Sequence, residues 1–214
     1  MRTPNFSKKL DYKEALEAAS RGMILVHDPQ LLIKMIIRMI VYRLKLRHAG
    51  MIIYSPEKNE YLLAISKGQT GHRIPQGFAR FNHSSPIIKV FSDAKFRPLF
   101  QSKHAILWHD MNKMIWQEGL LNGHGCDPDV REILHQVSDQ MDLLGVVACV
   151  PAIYHDKLLA VLLLGEKQSS EKFDSEELSF FGALASDTAM ALRNAQLFDQ
   201  LRSQAEHNHD LFLR

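Results

Sequence analysis

The sequence is poor in cysteine and has no long uninterrupted hydrophobic run, and each shortage excludes a class of protein. Its two cysteines, Cys126 and Cys149, are too few for a disulfide framework, and Cys149 falls inside an apolar segment. We therefore expect a reduced, cytoplasmic protein. The longest apolar segment falls short of the ~20 residues of a membrane-spanning helix, because four basic residues interrupt it: Lys34, Arg38, Arg43 and Lys45. The polar first residues show no signal peptide.

An excess of charge of one sign is also lacking. The 26 lysines and arginines nearly balance the 24 aspartates and glutamates, for a net charge of +2, so we expect neither a nucleic-acid nor a membrane partner. The length of 214 residues suits one domain with extensions. We predict a domain over 27–200, a helical extension over 1–26, and a continuation of the last helix over 201–214.

The most informative pattern lies in the last third of the chain. Two apolar stretches, 145–152 and 158–164, are joined by a polar turn and predict a hairpin of buried strands. Asp174 and Glu177 then form a capping box, which predicts a helix from Ser175 to the end of the chain. A strand-turn-strand that ends in a helix leaving the domain suits the passing on of a signal better than chemistry.

Two helices near the ends of the chain carry more apolar residues than one face needs. Asp28 and Pro29 predict the start of a helix that runs to about Arg47 and packs both on a sheet and on another helix. That other helix is the C-terminal one, from the same chain or a second copy. A partial coiled-coil seam recurs there every seven residues and is weakened by two asparagines; it comprises Leu184, Ala191, Phe198, Ala205 and Phe212.

The rest of the chain predicts an antiparallel sheet with helices inserted midway and packed at its ends. A hairpin is expected over 49–54 and 61–66. Further short strands are expected over 77–81 and 105–108. Helices are expected over 11–19, 87–91, 111–117 and 127–143.

Three segments then resemble the close of a GAF domain: 158–167, with the sequence LLAVLLLGEK, then 173–178 and 189–195. The resemblance spans about 27–200. It implies an α+β, GAF-like (PAS/profilin-like) fold: a central antiparallel sheet of five or six strands with helices on both sides, a long C-terminal helix, and a small-molecule pocket between the sheet and the mid-chain helices. It also implies homodimers through the terminal helices, for which we predict Ile33, Ile37, Leu44, Leu192, Phe198 and Leu201.

The ligands of that family can be compared with this sequence. Cyclic-nucleotide-binding members carry Asn-Lys, then Phe, then Asp-Glu after the last strand. The matching positions here are Glu166-Lys167, Phe173 and Glu176-Glu177. The asparagine is therefore replaced and the acidic pair differs, so these positions do not predict a cyclic nucleotide.

The sequence does not match the GAF domains whose function depends on a thiol either. A bilin would need Cys126 beside His124 or His135, in a segment without the expected flanking residues. The same three side chains could hold a metal, although a polar loop with an incidental thiol explains them as well. Methionine-sulfoxide-reducing members need several exchangeable thiols, which this chain lacks. The cofactor is left unknown, and no metal is expected.

The resemblance places a set of aromatic and basic side chains at the pocket: Arg73, Phe78, Phe81, Trp108, His109 and Trp116. Arg73 suits an anionic ligand, or is a surface residue. Trp108, His109 and Asp110 form a pocket wall, or cap the next helix. The aromatic residues could also fill the pocket themselves.

These patterns predict a non-catalytic sensory GAF module that binds a small molecule, dimerises, or does both, and relays a signal through its terminal helices. The alternative is a ligand-free dimerisation module with a self-filled pocket. No Ser-His-acid, Cys-His or metal triad appears at usable spacing, so we do not expect an enzyme. Because the chain stops in mid-pattern at Arg214, we expect an output domain or partner: a kinase, a cyclase or a phosphatase, as in two-component systems.

Overall fold

The helices and strands follow from local sequence signals. The computed structural model describes residues 17, 29–69, 71–72, 79–101, 104–111, 113 and 127–212. Its helices are α1 (Pro29–Arg43), α2 (Pro86–Ser92), α3 (Pro98–Gln101), α4 (Pro128–Leu144) and α5 (Ser175–Phe212). Its strands are β1 (His48–Ser55), β2 (Glu60–Gly68), β3 (Gly71–His72), β4 (Arg80–Phe81), β5 (Ile106–Leu107), β6 (Ala148–Tyr154) and β7 (Lys157–Leu164). Single 3-10 turns cover Ala94–Phe96 and Trp108–Asp110.

Capping explains where the main helices begin and end. Helices α1 to α4 each begin at a proline, whose missing N–H costs nothing in the first turn. The Asp127 carboxylate accepts a hydrogen bond from the Asp129 amide at the start of α4, and Gly145 ends this helix at a φ of 64°. At the start of α5 the predicted capping box is confirmed, since Asp174 and Glu177 each accept from the other's amide at 2.8 Å.

The strands form an antiparallel sheet. Within the described residues its order is β3-β2-β1-β7-β6-β5, and β4 pairs with β2 off this path. The predicted five or six strands are therefore confirmed along the continuous path. His155 and Asp156 make the β6–β7 turn with φ values of 46° and 60°, as a two-residue hairpin turn requires. The central pairing is that of β1 with β7, from Ala49 opposite Leu164 to Ile53 opposite Ala160.

Helices cover both faces of this sheet. On the first face α1 and α5 pack against side chains such as Met51, Val150 and Leu162. On the second face α2, α3 and α4 pack against Ile52 and Leu163 among others. The alternation of side chains along the strands sends neighbouring residues to opposite faces. The sheet is thus buried between two layers of helices, as the near-continuous apolar runs of β6 and β7 predicted.

Some predicted boundaries are corrected by the structure. Helix α1 ends at Arg43 rather than near Arg47, because the chain turns at Lys45 with a φ of 54°. Residues 145–147 lie outside β6, since Gly145 caps α4 instead. Of the predicted helix over 11–19, the described Glu17 is helical and the rest lies outside the described residues. In the described part of the chain, no helix has the length and apolar character needed to cross a membrane.

Candidate functional site

A groove of about 330 Å³ opens at the end of the sheet where β1 and β6 begin and β7 ends. We call it the rim groove. Its volume lies at the lower end of the range for ligand sites. Residues from four separate parts of the chain line it: Arg47, His48, Trp108, Asp142, Gly145, Val146, Val147 and Glu166.

Backbone pairing beyond the strands builds one wall of the rim groove. The Arg47 amide donates to the Glu166 carbonyl at 2.8 Å, and the Gln168 amide donates to the Lys45 carbonyl at 2.9 Å. Leu46 and Lys167 form a bridge between these two bonds. The β1–β7 ladder therefore continues past both strands and holds the Arg47 and Glu166 side chains at the groove.

The charges on this wall are partly neutralised. Arg47 Nη1 lies 3.2 Å from Glu166 Oε2, and both side chains are more than half exposed. A pair this exposed adds little stability. The neighbouring His48 is buried, and its ring lies against Gly165, where a Cβ would come within 2.2 Å of Nδ1. Glycine is required at position 165 for this close approach.

Trp108 and the end of α4 also line the rim groove. The Trp108 amide donates to the Val147 carbonyl at 3.0 Å, which holds the indole beside the residues that follow α4. The Trp108 side chain is 43% exposed, which is high for so large an apolar group. Asp142 lies in the last turn of α4, where no basic residue is present.

Of the predicted pocket residues that the structure describes, Phe81 and Trp108 lie in different parts of the fold. Arg73, Phe78 and Trp116 lie outside the described residues. Phe81 is 5% exposed and packs in the second-face core, whereas Trp108 lines the rim groove. His109 Nε2 lies 3.7 Å from Asp110 Oδ1 within the 3-10 turn. That turn opens directly after β5, so Trp108 leaves the sheet there and does not fill the core. Most of the helix over 111–117, which Asp110 was predicted to cap, lies outside the described residues.

In the region where the family pocket was expected, the described second face is filled by side chains. Aromatic residues are part of this core, for example Phe91 and Phe100, whose rings meet edge to face at 4.9 Å. The Tyr61 hydroxyl donates to the Leu158 carbonyl at 3.0 Å, and burial raises the pKa of Tyr61. The sequence-based alternative of a self-filled pocket therefore remains open.

The thiol and histidine candidates are separated as well. Cys149 is fully buried in β6, and burial raises the pKa of its thiol far above the ordinary value, so it stays protonated. His135 is exposed on α4, while His124 and Cys126 lie outside the described residues. Among the described residues, no group of three potential ligands could hold a metal ion.

The positions that match the nucleotide motif form an anchor for α5. Lys167 Nζ pairs with Glu177 Oε2, and these side chains are only 13% and 11% exposed. Lys167 also donates to the Lys172 carbonyl at 3.0 Å and lies over the Phe173 ring. The end of β7 is thereby tied to the first turn of α5. We call this arrangement the α5 anchor.

The six predicted dimer residues divide into two groups. Ile33, Ile37 and Leu192 are at most 3% exposed and belong to the first-face core of the chain itself, because α1 and α5 use this side to cover the sheet. Leu44 is half-buried, whereas Phe198 and Leu201 are 64% and 61% exposed. The surface left for a partner is narrower than the sequence suggested, and dimerisation stays a prediction.

Comparisons with known proteins identify the fold. No family model and no curated protein matches the sequence. The GAF domain of a phosphoenolpyruvate-protein phosphotransferase from Coxiella burnetii is similar in structure, with a TM-score of 0.57, 15% identity, and coverage of 91% of this chain and 99% of that chain. The phycoerythrobilin-bound GAF domain of a cyanobacterial phytochrome is also similar in structure, with a TM-score of 0.54 and 11% identity. The match covers 89% of this chain and 99% of that chain.

An enzyme shares the fold too. Free methionine-R-sulfoxide reductase from Neisseria meningitidis, solved with its substrate, gives a TM-score of 0.53 at 13% identity over 92% of this chain and 99% of that chain. The chain therefore has the GAF fold, as the resemblance at its C-terminal third predicted. At these identities the likeness shows the fold alone, since one fold hosts many functions.

Proposed function

We propose that this chain is a sensory or regulatory module without catalytic activity, which dimerises through its terminal helices and relays a change in the domain along α5. The observation that carries the proposal is the exit of α5 from the fold. Among the side chains of α5 that the structure describes, the last buried one is Leu192, yet the helix continues to Phe212. At ~1.5 Å per residue, the remaining part extends roughly 30 Å beyond the core.

Exposed apolar residues form a stripe along α5 where the helix leaves the fold. Met190, Leu197 and Leu201 share one side of α5, at 46%, 40% and 61% exposure. On α1, Met35 and Tyr42 are also exposed on one side. A helix that leaves its domain gains little from its own backbone hydrogen bonds, so its stability rests on packing. A second copy presents the same stripe and supplies that packing in a symmetric dimer.

The α5 anchor supports the relay. The Lys167–Glu177 pair joins β7, which occupies the centre of the sheet, to the first turn of α5. Any change in the end of β7 therefore reaches the helix through a short, mostly buried link. A ligand that binds two packings of the domain unequally would shift their populations, and α5 would carry the difference outward.

The test is the association of the full chain in solution, measured by light scattering over a range of concentrations. We expect a dimer, and we expect Leu197→Asp together with Leu201→Asp to weaken it by about 100-fold, because two apolar side chains lose their burial. Leu143→Asp is the matched control, since Leu143 is 84% exposed on α4, away from the stripe. A monomeric parent chain, or equal weakening by the control, would contradict the proposal.

A second candidate function is a ligand-free dimerisation module, favoured by the filled second face. Its described core side chains, Ile88 and Leu134 among them, are fully buried. Native mass spectrometry separates the two candidates: a dimer that retains a small mass, released on denaturation, supports the sensor. A dimer without added mass, and without a thermal shift against a metabolite panel, favours the interaction module.

The burial and protonation of Cys149 support the part of the proposal that assigns this chain no catalytic activity. Cys149 is buried and protonated, so it cannot attack or exchange as a thiolate. The likeness to a sulfoxide reductase makes a direct assay worthwhile. Reduction of free methionine sulfoxide by the purified chain would overturn this part of the proposal.

A further inference from the structure

The rim groove carries an electrostatic arrangement that works against the stability of α4. The carbonyl groups at the C-terminal end of a helix form its negative pole, where lysine, arginine or histidine is favoured. This end of α4 instead carries Asp142, and its last turn contains no basic residue. Among the described residues, the Asp142 carboxylate has no hydrogen-bond or ion-pair partner. Residues that break such a rule without compensation are candidates for function.

The remaining charges of the groove do not cancel this negative pole. The groove also contains the Arg47 guanidinium, and Glu166 Oε2 lies 3.2 Å from it. Arg47 Nη2 also donates to Ser170 Oγ at 3.4 Å. The Arg47 charge is therefore paired with Glu166, whereas Asp142 and the negative end of α4 add further negative charge to the groove.

Trp108 completes the site. Its indole lines the same groove and is 43% exposed. The face of an indole ring attracts cations more strongly than any other side-chain ring. A groove that is lined by an exposed tryptophan, an unpaired carboxylate and a helix C-terminus is suited to an organic cation, whose charge would meet Asp142 while its methyl or methylene groups contact the ring.

We propose that the rim groove binds a small organic cation bearing an alkylammonium group. The volume of about 330 Å³ admits a ligand of that size. The proposal deepens the sensory function by giving the module a ligand class. Its test reads binding at Trp108, whereas the sensory proposal is tested by association, so either can fail without the other.

The experiment uses choline as the probe and dimethylbutanol, its uncharged isostere, as the matched control ligand. The chain has two tryptophans, so Trp116→Phe leaves Trp108 as the single fluorophore. We expect choline to quench this fluorescence in a saturable way, with a Kd on the order of 1 mM, and the isostere to bind at least about fivefold more weakly. Calorimetry on the unsubstituted chain repeats the measurement without the tryptophan change.

Three substitutions locate the site, and two of them, Asp142→Asn and Asp139→Asn, remove the same charge. Asp142→Asn should weaken choline binding at least about fivefold, and Trp108→Leu, which is measured by calorimetry because it lacks the reporting indole, should do the same or more. Asp139→Asn removes a negative charge from the exposed surface of the same helix, outside the groove, and should leave binding unchanged. The proposal is overturned by equal binding of choline and its isostere, by equal effects of the two aspartate substitutions, or by no saturable response up to about 50 mM.

Discussion

The two faces of the sheet are covered in different ways. On the first face, two long helices from the ends of the domain, α1 and α5, lie on a core of mostly aliphatic and small side chains that also contains Phe173, Phe180 and Phe181. On the second face, the described helices α2 and α3 are short, and α4 alone is long. Aromatic residues from separate short segments contribute to the core between them, together with aliphatic residues; they include Phe81, Phe91, Phe96 and Phe100.

This difference assigns different roles to the two faces. A long helix transmits displacement along its axis, and α5 extends beyond the fold, so the first face is suited to a relay. The second face also carries exposed ion pairs between short segments. Lys95 Nζ lies 3.1 Å from Asp127 Oδ2 and 2.6 Å from Asp129 Oδ2, and Arg97 pairs with Asp156 at 2.7 Å. Such segments can vary in sequence without altering the path from β7 to α5.

The largest expected effect comes from removing one core ring on each face. Phe181 on α5 is 1% exposed and contacts the Phe173 and Phe180 rings, whereas Phe91 on α2 is 2% exposed and contacts Phe100. We expect Phe181→Ala and Phe91→Ala each to lower the free energy of unfolding by about 3–5 kcal/mol in urea titrations. Self-association without urea should fall for Phe181→Ala only, and an equal fall for Phe91→Ala would remove the distinction between the faces.

An intermediate effect is expected from the ion pairs. Lys167→Met leaves Glu177 mostly buried without its cation, which should cost about 1–3 kcal/mol. Arg97→Met breaks a pair whose side chains are 41% and 80% exposed, and should cost about 0–1 kcal/mol. Double-mutant cycles with Glu177→Gln and Asp156→Asn measure each coupling energy. In about 1 M salt the Arg97 coupling should vanish while the Lys167 coupling persists, and the reverse result would contradict the α5 anchor.

The smallest effect is a pH dependence at the start of α4. The Asp129 amide and then Lys95 lower the pKa of Asp127 in the folded chain. A lowered folded pKa gives stability that is present above the unfolded value near ~3.9 and is lost as the pH falls through the folded pKa. Asp127→Asn keeps a good N-cap but removes the charge. Its Tm should therefore lie below that of the parent chain at pH 6, and the gap should narrow below about pH 4.

Asp139→Asn provides the control for this titration. Asp139 is exposed on α4, and its substitution by asparagine removes the same formal charge from the same helix. Its Tm difference from the parent chain should stay nearly constant over the same pH range. A constant difference for Asp127→Asn as well would show that the second-face contact of Lys95 contributes no pH-dependent stability.

The sequence predicted the C-terminal third most accurately. There the signals are local: an apolar hairpin with a polar turn, then a capping box whose two members lie three residues apart. The mid-chain region was predicted less well. Trp108 was expected at a pocket over the second face, and the structure puts it in the rim groove, because β5 is only two residues long and the chain turns away immediately after it.

The rim groove itself could not be predicted from the sequence. Its walls come from positions near 47, 108, 142–147 and 166, which are far apart along the chain. One signal was present in retrospect, since Asp142 occupies the last turn of a helix where a basic residue is favoured. That signal indicates an unusual charge at Asp142, but it does not predict that Trp108 and the Arg47–Glu166 pair line the same groove.

The sequence by itself determined where most helices and strands begin, the turn between β6 and β7, and the antiparallel α+β class, because caps, turns and periodicity depend on neighbours a few residues away. Only the tertiary structure decided which apolar residues are core and which are exposed. Ile37 and Leu201 are both apolar residues of long helices, yet the sheet covers the first and ends before it reaches the second. Burial depends on the packing of segments distant in sequence, and no local pattern records it.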